Sequence, residues 1–411
     1  MSVGIRLRGA AVLGNRMYRL LFLATLGSGF GTWMATIALT ADVDARSNST
    51  WWVSALFFVT FVPAVAVGLL IGPLIDRLSR RRLIVASDLA RLGVFVALPF
   101  AHRLPTMIAL AAVNGVANSF FRPAVLAGVP NLVETKDLDV ATSLLQGTDW
   151  FAAAIGPVVG GALVALSGAH LVYWINAGTF LFSALLLVRI PARLLQSEQG
   201  ITRGHWHDLR EGVGAFRRST ALKVALFGFG FTMLASGLVN VSEIFLAKNT
   251  LHSGTFGFGL LWSATGVGLV VGSFSLGPLL GGRNVLDLYP LAFVPLAVGI
   301  FGAAVAPWVW LAAAAMVLTG FGNGVAFPMT VLIIQRHTSD AVRGRAFTVV
   351  ISFHIALLGL AQVASGALTA ALGARWTYGI AGCCALASAV TVVTMLRGLP
   401  SRAALPRQAP A

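Results

Sequence analysis

The sequence predicts an all-α membrane protein whose twelve transmembrane helices form two pseudo-symmetric six-helix bundles. Composition, a regular succession of apolar runs and an internal repeat predict this fold class. Of the 411 residues, 57% are hydrophobic and only 10% are charged, whereas soluble domains have about 25% charged residues. Lipid rather than water is therefore the main solvent of this chain, and a bundle of transmembrane helices is the class that fits.

Twelve apolar runs follow one another along the chain, separated by charged or turn-forming residues. A helix needs about 20 mostly apolar residues to cross the hydrocarbon core of a bilayer. We therefore predict spans at 18–41, 51–75, 82–101, 105–128, 140–166, 170–190, 220–247, 256–280, 286–306, 308–333, 345–371 and 375–396.

The second half of the chain repeats the first at a constant offset of 205 residues, which is the sequence signature of an internal duplication. The matched positions are Gly115 with Gly320, Asn118 with Asn323, Pro123 with Pro328 and Tyr173 with Tyr378. Six helices, an even number, separate the copies, so the halves are parallel and related by an axis along the membrane normal. We predict a cytosolic N-terminus (1–17), a first bundle (18–190), a cytosolic linker with an interfacial helix (191–219), a second bundle (220–396) and a disordered cytosolic tail (397–411).

The basic residues predict the orientation of the spans, because cytosolic segments are enriched in Lys and Arg. With a cytosolic N-terminus, the inner segments hold 23 of the 29 Lys and Arg residues, and the outer segments hold four: Arg46, Arg103, Lys248 and Arg375. Tryptophans cluster at the predicted outer ends, as in an aromatic belt: Trp51, Trp52, Trp174, Trp308, Trp310 and Trp376. We expect a multi-pass protein of the inner (cytoplasmic) cell membrane with both termini in the cytosol.

Several other classes of protein are disfavoured by the same sequence. The net charge of +15 follows from basic residues between apolar runs, so it indicates topology and attraction to anionic lipid rather than a nucleic-acid partner. Cys383 and Cys384 are neighbours in a span and are read as packing residues. No GxxxxGK[ST], no HExxH and no metal-ligand spacing occurs. We expect no enzymatic activity, no metal, no cofactor and a functional monomer.

The stretch "GPLIDRLSRR" resembles the loop between helices 2 and 3 of major facilitator transporters, with Ser79 at a position where that family usually has Gly. The resemblance implies a cytosolic gate formed by Gly72, Asp76, Arg77, Arg80 and Arg81. The acidic group would face the positive N-terminus of a helix from the other half. Simple positive-inside anchoring is the alternative, and it explains the arginines but not the aspartate or the glycine.

"IGPVVGG", in the fifth span, resembles the G-P-x-x-G-G antiporter motif of major facilitator exporters, with Ala152 replacing a Gly four residues earlier. The motif residues are Gly156, Pro157, Gly160 and Gly161. The proline is expected to kink the helix, and the glycines offer a smooth face for close helix packing. An ordinary small-residue packing face is the alternative.

Charges inside spans are expensive and indicate functional sites. We expect Arg122 and Asp149 to lie at similar depth and to pair, with Asp149 as the first candidate for carrying a coupling proton; a static pair joining two helices is the alternative. Glu243 and Asp42 are weaker proton-coupling candidates, because they lie near the outer ends of their spans and a solvated mouth is the expected setting. Asp88 and Arg91 are expected to pair along one helix, and His354 to be a packing residue.

"FRPAVLAGVPNLV", "RRRLIVASDLAR" and "VRGRAFTVV" resemble the twelve-helix exporter branch that contains macrolide-efflux and enterobactin-exporter proteins. The resemblance implies proton-driven efflux of an amphipathic small molecule such as a drug, an antibiotic or a siderophore-like metabolite, with the proton gradient as the energy source. Spans 1, 4, 7 and 10 would face a central cavity, with these candidates: Phe30, Trp33, Met34, Asn118, Phe231, Met233, Asn240 and Asn323. An importer or facilitator of the same fold stays open as an alternative, and a membrane enzyme or ATP-driven pump is disfavoured.

Overall fold

The computed structural model describes residues 11–63, 79–195, 219–281, 283–338 and 340–397, with the side chains of 340–345 left out. This part of the chain contains twelve long or apolar helices: α1 (Arg16–Ser47), α2 (Thr50–Phe61), α3 (Arg80–Ala97), α4 (Leu104–Gly128), α5 (Leu138–Ser167), α6 (Ala169–Val188), α7 (Thr220–Phe245), α8 (Gly254–Leu280), α9 (Val285–Val305), α10 (Val309–Arg336), α11 (Asp340–Leu372) and α12 (Ala374–Arg397).

Eleven of these helices are long and apolar enough to cross a membrane. The twelfth, α2, is described over 12 residues, and the rest of its predicted span lies outside the described residues, as do the predicted interfacial helix of the linker and the C-terminal tail. An α-helix bonds most of its backbone polar groups within itself, which is the condition for crossing lipid. The all-α membrane fold that the sequence predicts is therefore confirmed.

Helix α1 extends to Ser47, six residues beyond the predicted end at 41. The prediction ended at the charged residues that follow, whereas each of these charges has a partner in the fold. Asp42 pairs with Arg46 one turn later, and Asp44 pairs with Lys248 at the end of α7. The helix ends at Asn48, whose φ of 45° places it in the left-handed region.

The face that carries Arg16 is called the inner face below, following the predicted orientation, and the face that carries Ser47 is called the outer face. Trp51, Trp174, Trp308, Trp310 and Trp376 all lie near the outer face and are exposed. This ring of exposed indoles is the arrangement expected of an aromatic belt at one membrane interface.

The buried core is continuous near the outer face and divided near the inner face. One cluster of buried apolar residues joins the first six helices to the last six, from Met34 and Val172 to Ala235 and Tyr378. Two further clusters are each confined to one group of helices, one around Tyr18 and the other around Tyr289. In the described part of the chain, the two groups therefore meet at the outer side and separate toward the inner side.

Candidate functional site

A cavity of about 260 Å³ is formed by side chains of α1 to α5. Its wall combines aromatic side chains, hydroxyl groups and charged groups. The lining includes Trp33, Phe57, Phe61, Phe95, Asn114, Asn118, Arg91, Arg122 and Asp149. A concave, largely apolar surface with a few convergent polar groups is typical of a small-molecule binding site.

One side of the cavity is a row of hydroxyl groups along α1. Thr32, Thr36 and Thr40 line the cavity, and each donates its hydroxyl hydrogen to the backbone carbonyl four residues earlier, at 2.7 to 2.9 Å. Because these donors are used within the helix, the hydroxyl oxygens offer acceptor lone pairs to the cavity. The Oδ1 atom of Asn114 is a further buried acceptor and has no hydrogen-bond partner within the described residues. This wall suits a ligand that carries hydrogen-bond donors.

Arg122 of α4 forms an ion pair with Asp149 of α5 on the cavity wall, as the sequence predicts. A second nitrogen of the same guanidinium donates to the side-chain oxygen of Gln146, one turn earlier on α5. The side chain of Arg122 is 50% exposed and that of Asp149 is 28% exposed. The pair is therefore open to the cavity, where a ligand and protons have access to it.

A second ion pair, between Asp88 and Arg91 of α3, is fully buried beside the cavity. Ser183 of α6 donates its hydroxyl to the other carboxylate oxygen, and Arg91 also donates to Asn118 at 3.3 Å. The pairing within α3 was predicted. The sequence did not indicate that the guanidinium of Arg91 would lie between two aromatic rings.

Those rings belong to Phe121 of α4 and Phe180 of α6, with centroids 4.3 and 4.4 Å from the guanidinium carbon of Arg91. Cation–π contact on both faces compensates part of the cost of burying the charge. The arrangement joins α3, α4 and α6 behind the cavity wall. An arginine three residues after an aspartate in a span was the sequence signal, but its aromatic partners are distant in the chain.

Only two of the eight predicted cavity residues line this cavity. Trp33 and Asn118 line the cavity. Phe30 stacks against Phe151 of α5 instead, and Met34 is buried against the glycines of α5. The candidates from the last six helices do not line this cavity; they are partly buried within their own helix group: Phe231, Met233, Asn240 and Asn323.

The glycines of the "IGPVVGG" motif bring α5 into backbone contact with α1 and α8. A Cβ atom on Gly160 would lie 2.6 Å from the carbonyl oxygen of Met34, and one on Gly161 would lie 2.6 Å from that of Thr255. Gly156 is similarly close to Trp33. A side chain at any of these positions would force the helices apart. Gly156 and Gly160 thus pack α5 closely on α1 of its own group, and Gly161 packs it on α8 of the other group.

Pro157 has a further consequence for this contact. The backbone N–H of Val158, the next residue, donates to the hydroxyl of Ser263 on α8 at 2.9 Å. The carbonyl oxygen of Pro157 lies so close to Gly259 that a Cβ atom there would be 2.2 Å away. The helix is continuous through the proline, and the backbone beside it makes a polar contact with a helix of the other group.

The predicted cytosolic gate is only partly described, because Gly72, Asp76 and Arg77 lie outside the described residues. Arg80 donates to the carbonyl oxygens of Ala127 and Leu195, at 2.9 and 3.2 Å. Arg81 donates to the carbonyl oxygen of Val188 at 2.6 Å.

These two arginines therefore bond to the inner ends of α4 and α6 and to the segment after α6, all within the first group of helices. Arginines near the last carbonyls of a helix also complement its dipole.

The setting of Glu243 differs from the solvated mouth that we predicted. Its side chain is only 2% exposed, and its Oε1 atom has no hydrogen-bond partner in the described part of the chain. The prediction was wrong because depth along the helix does not tell which face of α7 the residue occupies, and this face packs on α11 and α12. Asp42 is near the surface, paired with Arg46 and accepting from Tyr173. His354 is a packing residue that bonds the carbonyl of Leu226.

Contacts near the outer face close that side between the two groups of helices. Lys248, just beyond α7, forms an ion pair with Asp44 of α1. Thr50 at the start of α2 donates to the carbonyl oxygen of Gly366 in α11 at 2.8 Å. Together with the divided core at the inner side, these contacts define a conformation that is closed at the outer face.

Two groups of apolar helices that meet at one face, with a largely apolar cavity carrying a few polar groups in the first group, define a multi-pass membrane transporter for small molecules. The family model of the Major Facilitator Superfamily matches residues 21–286. Since the match covers more than half of the chain, the protein belongs to the Major Facilitator Superfamily.

Curated relatives in this family include exporters. The enterobactin exporter EntS of Citrobacter koseri is 28% identical over 341 residues, which are 80% of this chain and 79% of that protein. An MFS-type transporter of Bacillus subtilis, YfiS, is 26% identical over 165 residues, 40% of each chain. The relatives therefore support efflux transport.

Solved structures show the same fold at low sequence identity. The nucleoside transporter NupG superposes with a TM-score of 0.72 and 15% identity, covering 94% of this chain and 100% of that one. A bacterial homologue of the iron transporter ferroportin, solved in an inward-facing state, has a TM-score of 0.74 and 13% identity, covering 92% and 98%. These likenesses confirm the major facilitator fold.

Proposed function

We propose that this protein is a secondary active exporter that moves an amphipathic small molecule out of the cell in exchange for protons. It lies in the inner (cytoplasmic) membrane with both termini in the cytosol, acts as a monomer and uses the proton gradient as its energy source, with no cofactor. The observation that carries the proposal is the Arg122–Asp149 ion pair on the wall of the cavity. Exporter relatives that match 80% of the chain support the direction.

The conformation supports a cycle of alternating access. The outer side is held together by the pair of Asp44 with Lys248 and by the bond from Thr50 to Gly366, while the apolar core is divided on the inner side. Substrate enters the cavity from the inner side in this state. Rocking of the two helix groups across the α5–α8 contact then opens the outer face and brings the inner ends together.

In the proposed coupling step, Asp149 exchanges a proton while Arg122 changes partners. When Asp149 is ionised, it neutralises Arg122 and the pair is closed. A proton on Asp149 removes the attraction and leaves the guanidinium with Gln146 alone. Since both groups lie on the cavity wall, proton binding changes the charge that a substrate meets there. Protons and substrate therefore influence each other's binding through a shared site.

The predicted cytosolic gate completes the cycle on the inner side. In this proposal, Asp76 and the basic residues around it hold the inner ends of the two groups together once the outer face has opened. Arg80 and Arg81, bonded to carbonyls of their own helix group, fix the start of α3 as a base for that loop. The gate is thus the inner counterpart of the Asp44–Lys248 pair.

The lining of the cavity sets the chemical class of the substrate. Aromatic side chains such as Trp33, Phe57 and Phe95 supply apolar surface, while the threonine row of α1 and Asn114 supply acceptors. An amphipathic molecule with an apolar body and hydroxyl, amide or amine donors fits this wall. Drugs, antibiotics and siderophore-like metabolites include such molecules. The name of the enterobactin exporters says that enterobactin is their substrate.

An importer or facilitator is the competing function, because the same fold and gate serve transport in either direction. Transport of fluorescent amphipathic dyes in energised vesicles separates the two. We expect inverted vesicles to accumulate the dye when acidified inside and to lose that accumulation when a protonophore is added. Accumulation confined to right-side-out vesicles, or accumulation in inverted vesicles that is insensitive to the protonophore, would contradict proton-coupled export.

A further inference from the structure

Two buried polar side chains, Glu243 and Tyr378, lie near each other toward the outer end of the last six helices, away from the cavity, and a third, Gln362, lies deeper on α11. Glu243 of α7 is 2% exposed, and Gln362 of α11 and Tyr378 of α12 are fully buried. Within the described residues, Oε1 of Glu243, the hydroxyl of Tyr378 and both amide atoms of Gln362 have no hydrogen-bond partner. The carboxyl group of Glu243 is close enough to the hydroxyl of Tyr378 to act on it electrostatically.

An unpaired carboxylate in such a place is too costly to be ionised. Burying a charge without a partner costs several kcal/mol or more, and no basic side chain of the described residues pairs with Glu243. The neutral acid, which carries its proton, has no such cost. The hydrogen-bonding capacity of the Tyr378 hydroxyl is also unused, so it is available to a neighbouring carboxyl group that changes its charge.

The first half of the chain contains the same pair of groups in a compensated form. Tyr173, which the 205-residue repeat matches to Tyr378, donates its hydroxyl to Asp42 of α1 at 2.9 Å. There the carboxylate also accepts from two nitrogens of Arg46, at 2.7 and 3.1 Å. The second half keeps the tyrosine and lacks the arginine, and its acid, Glu243, lies one helical turn before Ala247, the position that the repeat matches to Asp42. The acid of the first half is thus held in a stable ion pair, and the acid of the second half is a carboxyl group without a counter-charge.

A π-helical turn, Leu246–Thr250, begins three residues after Glu243. Such turns are uncommon and occur mostly at functional sites. Lys248 of this turn forms the ion pair with Asp44 that closes the outer face. Any movement that separates this pair therefore moves the turn that borders Glu243, so opening of the outer face and solvent access to the carboxyl group are mechanically linked.

We propose that Glu243 is a second proton-binding site, which holds a proton while the outer face is closed and exchanges it with the outer solution when that face opens. The inference rests on the proposed function only in using alternating access, and it adds a site distinct from Asp149. Uptake of an external proton by Glu243 permits the outer face to close. Because the closed state binds the proton more tightly than the open state, raising the pH shifts the protein toward the open state.

Other titratable groups near the outer end of α7 must be separated from this effect. Tyr378 lies on α12, the Asp44–Lys248 pair joins α1 to the π turn, and His252 is exposed in the segment that follows. The sequences of α2 and α8 contain no charged residue. On α10, α11 and α12 the other charged residues and the histidine lie toward the inner end or in mid-helix, apart from Arg375, which donates to a backbone carbonyl at the outer end: Arg336, Asp340, Arg343, Arg345, His354, Arg375 and Arg397. Cys383 and Cys384 of α12 are replaced in the test below.

The test uses the full chain in lipid nanodiscs without substrate. Spin labels at Ala45→Cys and Asn249→Cys report the separation of α1 from the π turn, in a background of Cys383→Ser, Cys384→Ser and His252→Gln. We expect the short inter-label distance to give way to a longer one as the pH rises. In Glu243→Gln, which is permanently neutral, the short distance should persist at every pH. Asp42→Asn removes the carboxylate that is paired with Arg46 in the first half, and the pH midpoint of its distance change should equal that of the parent protein.

An infrared measurement on a chain that retains Glu243 makes the result independent of how well the Glu243→Gln protein is recovered. In an Asp149→Asn background, the carbonyl band of a protonated carboxylic acid should disappear with the same pH midpoint as the distance change. A pH response that is unchanged in Glu243→Gln, or an acid band whose midpoint differs from that of the distance change, would overturn the proposal. Because no substrate is present, these outcomes are distinct from a failure of export by Asp149→Asn.

Discussion

Lys248, in the π turn just beyond α7, forms an ion pair with Asp44 of α1, and 204 residues of sequence separate the two. The pair joins the two groups of helices at the outer face, where Asp44 is almost fully buried and Lys248 is only partly exposed. A second bond between the groups, from Thr50 to the carbonyl of Gly366, lies near the same face. Closure of the outer side thus depends on a small number of polar contacts around an apolar core.

Replacing Asp44 with Asn should favour the outer-open state. The substitution leaves the ammonium of Lys248 without its counter-charge, and a hydrogen bond to a charged group contributes about 1.5–3 kcal/mol. We expect a shift in the open-to-closed ratio of roughly tenfold or more. The distance between spin labels at Ala45→Cys and Asn249→Cys measures the shift, in a protein without Cys383 and Cys384.

The exchanged pair Asp44→Lys with Lys248→Asp is the control, because it restores opposite charges at the same place. It should recover most of the closed population. If the single and the exchanged variants show the parent's distribution of inter-label distances, the ion pair does not hold the outer face closed.

Replacing Asp149 with Asn should abolish proton-driven accumulation while leaving substrate exchange intact. The amide is isosteric with the acid but does not exchange a proton, so the coupling between proton and substrate is lost. Coupling free energies are typically about 1–3 kcal/mol, which corresponds to roughly 5–150-fold in affinity. Dye accumulation in inverted vesicles measures the first process, and counterflow without a gradient measures the second.

Asp139→Asn is the matched control for this experiment. Asp139 lies on the same helix, α5, but is exposed in its first turn. Its substitution should leave both accumulation and counterflow unchanged. Full accumulation by Asp149→Asn would remove the carboxyl group from the coupling mechanism and favour the alternative that the pair with Arg122 is static.

The buried pair of Asp88 and Arg91 should be more important for stability than for coupling. Asp88→Asn leaves a buried guanidinium without its counter-charge, at a cost of about 3–5 kcal/mol. The double variant Asp88→Leu with Arg91→Met removes both charges and should cost much less. Thermal unfolding in detergent, followed by fluorescence, compares the two Tm values. A double variant that is less stable than Asp88→Asn would show that the charges stabilise the fold on balance.

The helices were predictable from the sequence because lipid imposes one rule on every span: apolar residues outside and backbone hydrogen bonds inside. The exception, the end of α1, shows the limit of that rule. The pairing of Asp42 with Arg46 was visible as an i, i+4 spacing. The pairing of Asp44 with Lys248 was not, since it depends on how the two halves meet. A hydropathy pattern does not contain that information.

The candidate site was predictable in part for the same reason. Arg122 and Asp149 were expected at equal depth on neighbouring helices, and they pair. The predicted position of Glu243 near the outer end of α7 was also roughly correct. Its burial was not predicted, because packing decides how α7 is rotated about its own axis. The rings on either side of Arg91 likewise come from two other helices. Periodicity finds the helices, and the tertiary contacts decide which charges are solvated.

The contact between α5 and α8 gives the last prediction. A Cβ atom on Gly259 would lie 2.2 Å from the carbonyl oxygen of Pro157 and 3.2 Å from the Cα atom of Gly161. Both are backbone atoms, so no side-chain rotation relieves the overlap and the two helices must separate. Gly259→Ala should therefore lower stability by about 1–3 kcal/mol, as overpacking does, and slow transport, because α5 and α8 no longer move against each other in contact. Gly277→Ala, on the same helix with open space around its Cβ position, should change neither. Tm and dye efflux measured on both variants decide the matter: equal behaviour of the two would mean that close backbone contact at the proline motif is not required for the cycle.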